Sequence, residues 1–370
     1  MSVVLEPATP PSGPNRTDPS GSGRPPGPSS GGGSASGSGR ISGPVAVAFL
    51  VVGLLLVSLA SLVWGARDVA PSAVWDALVA PVAGDNDHLV VRDLRVPRTL
   101  IGLVGGAALG AAGALMQGVT RNPIADPGLL GINAGASLAV IVAIAGFGIG
   151  STSGYLWFAF AGAAVAAVVV YGAASLGWEG VTPVKLALVG AAFTATCTSV
   201  ITVVLLTDTR TLGEYRFWQV GSLANRPLDV LGPVLPFVVV GLVLALAAGR
   251  VLNALALGDD VARGLGQDVV RGRLLIVTAV VLLCGSAVSL VGPIAFVGLV
   301  VPHVARAVVG PDYRWIVLLS TLLGPVLLLA ADVAGRLVVR PSELEAGLVV
   351  AVIGAPVLIA LVRRSRAVAA

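Results

Sequence analysis

The chain is poor in the residues that carry most enzyme chemistry. Its 370 residues include a single lysine, two histidines and two cysteines, and only 11% of them are charged. The lysine, Lys185, follows Val184, so the chain lacks the Gly-Lys-Ser/Thr sequence with which a P-loop binds nucleotide phosphates. If the chain takes part in ATP-driven transport, the ATPase must therefore be a separate chain.

The sequence also lacks the patterns of a metal site or a nucleophilic catalyst. His88 and His303 stand apart from each other and form no His-Glu-x-x-His motif. Cys197 and Cys284 lie inside apolar runs, which indicates small buried side chains and no disulfide framework. We expect no catalytic residue, no metal site, no cofactor bound by this chain and no nucleic acid partner.

Long apolar runs are what the chain does have. It is 56% hydrophobic, and its mean hydropathy is +0.94. Repeated runs of about 20 apolar residues predict an all-α polytopic membrane protein of about ten spans. The spans expected from charges and Gly/Pro breaks are residues 41–66, 98–121, two within 127–178, 185–208, 229–250, 274–290, 294–309, 315–331 and 346–362. The excess of Lys and Arg in alternate segments predicts that both termini lie inside.

The first 40 residues differ from the rest in composition. Residues 1–40 are rich in Pro, Gly and Ser and contain no apolar run, so we expect a disordered cytoplasmic tail. Residues 41–366 are predicted to form the transmembrane domain.

A polar island at residues 250–273 interrupts the apolar runs. Within it Leu257, Val261 and Leu265 recur every four residues, which predicts one apolar face on a short helix. Asp259 and Asp260 fall in the first turn of that helix, where the helix dipole favours negative charge. Such a helix suits docking into a groove of another protein, although a plain surface loop is the simpler alternative.

Three arginines near the ends of apolar runs have two interpretations. Arg95 and Arg98 stand at the start of the second span, and Arg336 follows Asp332 by four residues. Snorkelling to lipid headgroups and an i, i+4 helix pair are the simple interpretations. A docking surface for an acidic partner is the functional one.

Two spans carry periodic small or hydroxyl residues. Gly102, Gly106 and Gly110 form a stripe that permits close helix packing. A hydroxyl stripe of Thr194, Thr198 and Thr202 either bonds back to its own helix or lines a polar conduit, and the residues alone leave both open.

Five segments together resemble the FecCD permeases, the membrane subunits of bacterial ABC importers for iron–siderophore, haem and vitamin B12. The resemblance runs from about residue 45 to the C-terminus and rests on these segments: RVPRTLIGLVGGAALGAAGALMQGVTRNPIADPGLLGINAGA (95–136), FWQVGSL (217–223), ALGDDVARGLG (256–266), GPIAFVGLVVPHVAR (292–306) and ADVAGRLVVRPSELEAG (331–347). It implies the type II ABC importer permease fold in a bacterial cytoplasmic membrane. The implied partners are a second permease subunit, two cytoplasmic ATPase subunits that hold ATP and Mg, and an extracytoplasmic substrate-binding protein.

The same resemblance assigns roles to positions. It makes Arg95, Arg98 and Arg336 the receptors for acidic residues of the binding protein, and it favours a pathway-lining role for Thr194, Thr198 and Thr202. The ATPase-coupling segment comprises Leu257, Gly258, Asp259, Asp260, Val261, Ala262, Arg263, Gly264, Leu265 and Gly266. One departure is Glu343-Leu344-Glu345, where the family commonly has Glu-Leu-Pro, and this puts the local turn in question.

The function expected from all this is import of a chelate by an ATP-driven complex, with iron present only as substrate. A ferric siderophore is favoured over haem or cobalamin, and the choice between homodimer and heterodimer stays open. An ion-coupled secondary transporter is the alternative from another class, but it normally needs carboxylates inside its spans. A structural membrane subunit is a third alternative.

Overall fold

A computed structural model describes residues 42–176 and 182–369 of the protein. Within these residues the structure is helical and contains no strand. The predicted tail at residues 1–40 lies outside the described part of the chain.

The helices follow the predicted spans closely. Every predicted span coincides with a helix, and the ends agree to within a few residues for most of them. The helices are α1 (Gly43–Val63), α2 (Pro71–Val79), α3 (Asn86–Leu89), α4 (Val96–Thr120), α5 (Ile132–Ile141), α6 (Thr152–Ser175), α7 (Pro183–Thr207), α8 (Thr209–Gln219), α9 (Leu231–Ala247), α10 (Gly249–Ala256), α11 (Asp259–Gly264), α12 (Val269–Val291), α13 (Val297–Val309), α14 (Tyr313–Val338) and α15 (Ala346–Ala369).

Length divides the apolar helices into two groups. Seven helical stretches among the described residues are long and apolar enough to cross a membrane. Three shorter apolar stretches, Ile132–Gly146, Val297–Val309 and Ala346–Ala360, occupy the remaining predicted spans. The protein is therefore a multi-pass membrane protein, while ten crossings and internal termini remain predictions.

Helix α4 lies at the centre of the bundle because its glycines admit neighbouring backbones. A Cβ on Gly110 would stand 2.1 Å from the carbonyl oxygen of Ser320, and one on Gly106 would stand 2.5 Å from Cα of Pro325, both on α14. Gly113 meets the backbone of Gly298 on α13 in the same way. The predicted small-residue packing is confirmed, because contacts this close exclude any side chain.

Two helix boundaries have clear causes. Gly292 adopts a φ of 77° directly after α12, and Pro293 follows, so the predicted break before α13 is confirmed. The predicted end of the ninth span near residue 331 was wrong, since α14 continues to Val338. The buried charges of Asp332 and Arg336 neutralise each other inside the helix, so they do not mark its end.

The short helices α2, α3 and α8 in the connections were not predicted. Pro71 begins α2, and the side chains of Asp85 and Asp208 accept hydrogen bonds from the first amides of α3 and α8. These helices are four to eleven residues long. They are too short for a clear apolar period, so only their capping residues could have indicated them.

Candidate functional site

The coupling segment (residues 257–266) presents an apolar stripe to solvent. Leu257, Val261 and Leu265 are 63%, 50% and 61% exposed, so the four-residue spacing lies on the outer side of the segment. Ala262 is fully buried against the protein's own bundle. Exposed large apolar side chains grouped at helical spacing are typical of a surface that contacts another protein or a membrane.

The geometry of the segment depends on its glycines. Gly258 adopts a φ of 111° between α10 and α11, and Gly266 adopts a φ of 80° after α11. Both are in the left-handed region, which side chains rarely occupy. Gly264 is the last residue of α11, and a Cβ added there would meet nothing within 4 Å. The short helix thus has a sharp turn at each end.

The two adjacent aspartates of α11 face in different directions. Asp259 accepts hydrogen bonds from Arg121, at the end of α4, and from Arg273 on α12, the latter at 2.9 Å. The side chain of Asp260 is fully exposed and contacts Arg263 within the same helix. Asp259 is therefore bound to the bundle, whereas Asp260 lies beside the exposed stripe.

The arginine cluster (Arg95, Arg98 and Arg336) lies at the other end of α4. All three residues are buried, and their guanidinium groups bind within the chain. Arg95 donates to the carbonyl oxygens of Leu62, Val63 and Arg67 at 2.6–2.8 Å. The cluster is thus anchored to the segment that follows α1.

Two carboxylates enter this cluster. Arg98 donates to Asp332 at 2.7–3.0 Å and to Glu343 at 2.6 Å, and Arg336 contacts Asp332 at 2.9 Å. The predicted i, i+4 contact of Asp332 and Arg336 is confirmed, and Arg98 joins it from another helix. The cluster holds three arginines and two carboxylates, so one positive charge is in excess. Among the described hydrogen bonds, Arg95 donates only to carbonyl oxygens.

A cavity of about 400 Å³ opens beside the cluster. Its lining includes Arg67 and Glu343 in addition to the three arginines. The sequence alone suggested that these guanidinium groups are free surface charges, and the structure shows that they are not. They nevertheless border a space that an acidic side chain could enter. The sequence marked Glu343 only as part of a departure from the Glu-Leu-Pro pattern. Because Glu343 is 245 residues from Arg98 in the chain, the sequence did not predict their ion pair.

The hydroxyl stripe lies on the exposed side of α7. Thr198 and Thr202 are exposed and Thr194 is half-buried. Thr202 donates its hydroxyl hydrogen to the carbonyl oxygen of Thr198 at 2.8 Å, as the helix-bonded interpretation expects. The pathway-lining role of the stripe stays a prediction.

Residues with metal-ligating side chains are dispersed in the described part of the chain. It contains no group of three or more His, Cys, Asp and Glu placed to hold a metal ion. Both cysteines are buried and unpaired with each other. The expectation that the chain binds no cofactor of its own stays a prediction.

A family model and several known permeases are similar to this chain over most of its length. The family model described as the FecCD transport family matches residues 53–364. The ferric enterobactin transport system permease protein FepD of Escherichia coli (strain K12) is 47% identical over 330 residues, covering 88% of this chain and 98% of FepD. The probable siderophore transport system permease protein YfiZ of Bacillus subtilis (strain 168) is 42% identical over 315 residues, with 85% and 94% covered.

A haem transporter and a solved structure are also similar. The hemin transport system permease protein HmuU of Yersinia pestis is 32% identical over 334 residues, covering 88% of this chain and 98% of HmuU. A solved structure described as an inward-facing conformation of a metal-chelate type ABC transporter superposes with a TM-score of 0.75 at 25% identity, covering 87% of this chain and 99% of its own.

Proposed function

The chain belongs to the FecCD transport family and is a membrane permease subunit of an ABC importer, not an enzyme; from this premise we propose that it carries ferric siderophores into the bacterial cytoplasm. The proposal for the substrate rests on the names of the relatives, which include siderophore, enterobactin, hydroxamate and citrate–iron permeases. Haem is the second candidate, because HmuU is also similar over nearly its whole length. Cobalamin, which the family also transports, is the third.

The exposed stripe of the coupling segment is the observation that supports ATP-driven import. Leu257, Val261 and Leu265 would sit in a cleft of a separate ATPase subunit, where their burial would hold the two chains together. Asp260 and Arg263 would lie at the polar rim of that contact. Two ATPase subunits would bind the two coupling segments of a permease dimer.

The arginine cluster supports docking of a substrate-binding protein. The cavity beside Arg95, Arg98 and Arg336 has an excess of positive charge and room for a carboxylate side chain. A carboxylate that enters the cavity could accept a forked pair of hydrogen bonds from a guanidinium group. Because the arginines are already held in place by the chain, they would lose little freedom on binding.

The exposed face of α7 supports a pathway at a dimer interface. An isolated bundle would leave Thr198 and Thr202 against lipid, where hydroxyl groups gain nothing. Facing a second permease subunit, the same hydroxyl oxygens would line a polar conduit. Whether that second subunit is a copy of this chain or a sister chain is left to experiment.

We assign these sites to successive steps of a transport cycle. A loaded binding protein docks beside the arginine cluster, and ATP binding or hydrolysis moves the coupling segments. The chelate then passes between the two permease subunits by a rigid-body change of the helices. Ion-gradient coupling is disfavoured, because Asp332, a carboxylate within a long apolar helix, is held by Arg98 and Arg336 and is not available to bind a cation.

Uptake in a strain that lacks only this chain tests the proposal. Radioactive iron as siderophore complexes, radioactive haem and labelled cobalamin are presented side by side, with the chain restored from a plasmid. We expect loss of ferric-siderophore uptake alone, recovered on complementation. Loss of haem or cobalamin uptake alone would replace the substrate and keep the transport mechanism. Unchanged uptake of all three would contradict the proposed substrates.

A further inference from the structure

The carboxylate of Asp259 joins three separate elements of the chain. It belongs to α11, yet it binds Arg121 at the end of α4 and Arg273 near the start of α12. The two arginines are 138 and 14 residues from it in sequence. The group is partly buried, because the side chains of Arg121, Asp259 and Arg273 are 39%, 27% and 21% exposed. We call these three residues the clamp.

Arg121 is specially placed for this contact. It ends α4 with a φ of 51°, in a left-handed conformation that residues other than glycine seldom adopt. From there its Nε donates to the carbonyl oxygen of Leu255 on α10 at 2.6 Å, while its Nη2 binds Asp259. One guanidinium group therefore holds both sides of the turn at Gly258. The planar, forked donor set of arginine permits this, and lysine would offer only a single point of attachment.

Helix α4 extends from the clamp to the arginine cluster. Arg121 lies at one end and Arg98 at the other, about 35 Å apart at the rise of an α-helix. Between them α4 packs backbone to backbone against α14 and α13 at its glycines. Close-packed helices of this kind move as rigid bodies and do not bend gradually. A displacement of α11 that pulls on Arg121 would thus reach the helix that carries Arg98.

We propose that the Arg121–Asp259–Arg273 clamp positions the coupling helix and transmits its movement to α4 and α12. This inference rests on the proposed function, in which α11 contacts an ATPase. The two neighbouring aspartates then have different roles, because Asp260 faces the partner and Asp259 faces the bundle. Asp259, Arg121 and Arg273 are assigned as positioning residues, because the described contacts join them to one another and to the carbonyl oxygen of Leu255.

The test uses the complete importer, purified with its second subunit, ATPase and binding protein and placed in proteoliposomes. The variants are Asp259→Asn, Arg121→Gln and Arg273→Gln. The control is Arg271→Gln, which makes the same change two residues away on α12, at a side chain that is 88% exposed and contacts only Asp268 among its described ion pairs. Assembly, ATP hydrolysis without binding protein, stimulation by loaded binding protein and uptake are each measured.

We expect each clamp variant to assemble, and we expect Arg121→Gln and Arg273→Gln, which lie outside the coupling segment, to hydrolyse ATP at a basal rate close to that of the original protein. Stimulation by the loaded binding protein and uptake should fall about tenfold, because the signal must pass through the clamp. Combining Asp259→Asn with Arg121→Gln should cause less loss than the two single losses added together, since both remove the Arg121–Asp259 contact. The control should transport normally. Full stimulation in assembled clamp variants would overturn the proposal.

Two further measurements settle the remaining outcomes. If the variants fail to assemble, the milder Asp259→Glu and Arg121→Lys are tested, and failure of these to assemble as well would show a purely structural clamp and overturn the proposal. Hydrogen exchange of α11 in the permease alone does not depend on transport. We expect Asp259→Asn to accelerate it about tenfold. Unchanged exchange would refute the clamp, whereas absence of ATP-dependent uptake by the original protein would refute only the proposed function.

Discussion

Arg98 and Asp332 are 234 residues apart in the chain, and the guanidinium group of the first binds both carboxylate oxygens of the second at 2.7–3.0 Å. The contact joins the start of α4 to α14. Arg336 binds the same carboxylate from one helical turn away. A fully buried charge is thus compensated by two arginines, and the compensation exists only because two distant helices are neighbours.

Replacing Asp332 with asparagine should destabilise the protein strongly. The substitution keeps the shape of the side chain but leaves the buried charges of Arg98 and Arg336 poorly compensated. We expect a loss of about 3 kcal/mol or more, measured by thermal unfolding in detergent. Asp93→Asn removes an exposed charge near the same end of α4 and serves as the control. Equal losses in the two variants would show that burial of Asp332 does not matter.

Adding one methyl group at Gly110 should disrupt the contact of α4 with α14. A Cβ there would lie 2.1 Å from a carbonyl oxygen of the neighbouring backbone, so the helices must separate. We expect Gly110→Ala to cost about 1–3 kcal/mol in the same unfolding measurement. Gly53→Ala adds the same methyl group to α1, where nothing lies within 4 Å, and should cost nothing. A stable Gly110→Ala protein would contradict the close packing.

Changes on the exposed stripe should separate assembly with the ATPase from folding. Val261→Glu places a charge in the proposed contact, and we expect at least about a tenfold loss of ATPase copurification at an unchanged amount of permease. Val270→Glu is the matched control, because Val270 is 72% exposed but lies on α12. An ATPase that copurifies equally with both variants would place the contact elsewhere.

Two further changes in the coupling segment should uncouple hydrolysis from uptake. Gly264 has open space around it and Asp260 is fully exposed, so Gly264→Trp and Asp260→Arg should fold and enter the membrane normally. We expect ATP hydrolysis that no longer drives uptake, as measured in proteoliposomes. Uptake per ATP equal to that of the original protein would argue against a coupling role for these positions.

Removing the hydroxyl groups of α7 should impair transport without impairing folding. The triple change Thr194→Val, Thr198→Val and Thr202→Val makes the stripe apolar, and we expect several-fold slower uptake by an importer that assembles normally. Thr196→Val removes an exposed hydroxyl group about half a turn away around the helix and should have no effect. If the triple variant transports normally, the stripe does not line the pathway.

The start of α8 should be insensitive to pH over a wide range. Hydrogen bonds from the Thr211 hydroxyl group and from the amides of Thr211 and Arg210 lower the pKa of Asp208. A carboxylate with a lowered pKa stabilises the helix above its ordinary pKa and loses this effect only as pH falls through the lowered value. Amide exchange at Thr211, corrected for its intrinsic rate, should therefore be unchanged from neutral pH to about pH 5.

Replacing the capping residue Asp208 should accelerate amide exchange both at neutral pH and at about pH 5. Asp208→Ala removes the acceptor, so exchange at Arg210 and Thr211 should accelerate, whereas Asp208→Asn retains an acceptor and should accelerate it less. Faster exchange at about pH 5 in the original protein would mean that the cap is already lost there.

Much of the helical framework could be predicted because apolar runs in a membrane protein obey a single strong constraint. Backbone groups in lipid must be satisfied within the helix, so an uncharged run of sufficient length becomes one. The Gly-Pro break before α13 and the glycine stripe of α4 were predictable for a similar local reason. The short helices α2, α3 and α8 were not, because their caps are weak signals among many polar residues in the connections.

In the coupling segment, residue spacing predicted part of the geometry but not all of it. The four-residue spacing of Leu257, Val261 and Leu265 predicted that they share one face, and the structure shows all three exposed. That Asp259 turns to the bundle while Asp260 faces solvent could not be predicted, because Arg121 and Arg273 reach it from other helices. The arginine cluster is a similar case, since arginines at the ends of predicted spans suggested surface charges and the structure shows them buried.

The sequence by itself determined the class of protein, the positions of its long helices and the shared face of Leu257, Val261 and Leu265, because these follow from hydropathy, helical period and recognisable motifs along the chain. Only the tertiary structure decided which charges are paired within the chain and which remain exposed. A charge is compensated by whatever lies within a few ångströms of it, and for Asp259 and Asp332 those partners come from helices that only the fold brings together.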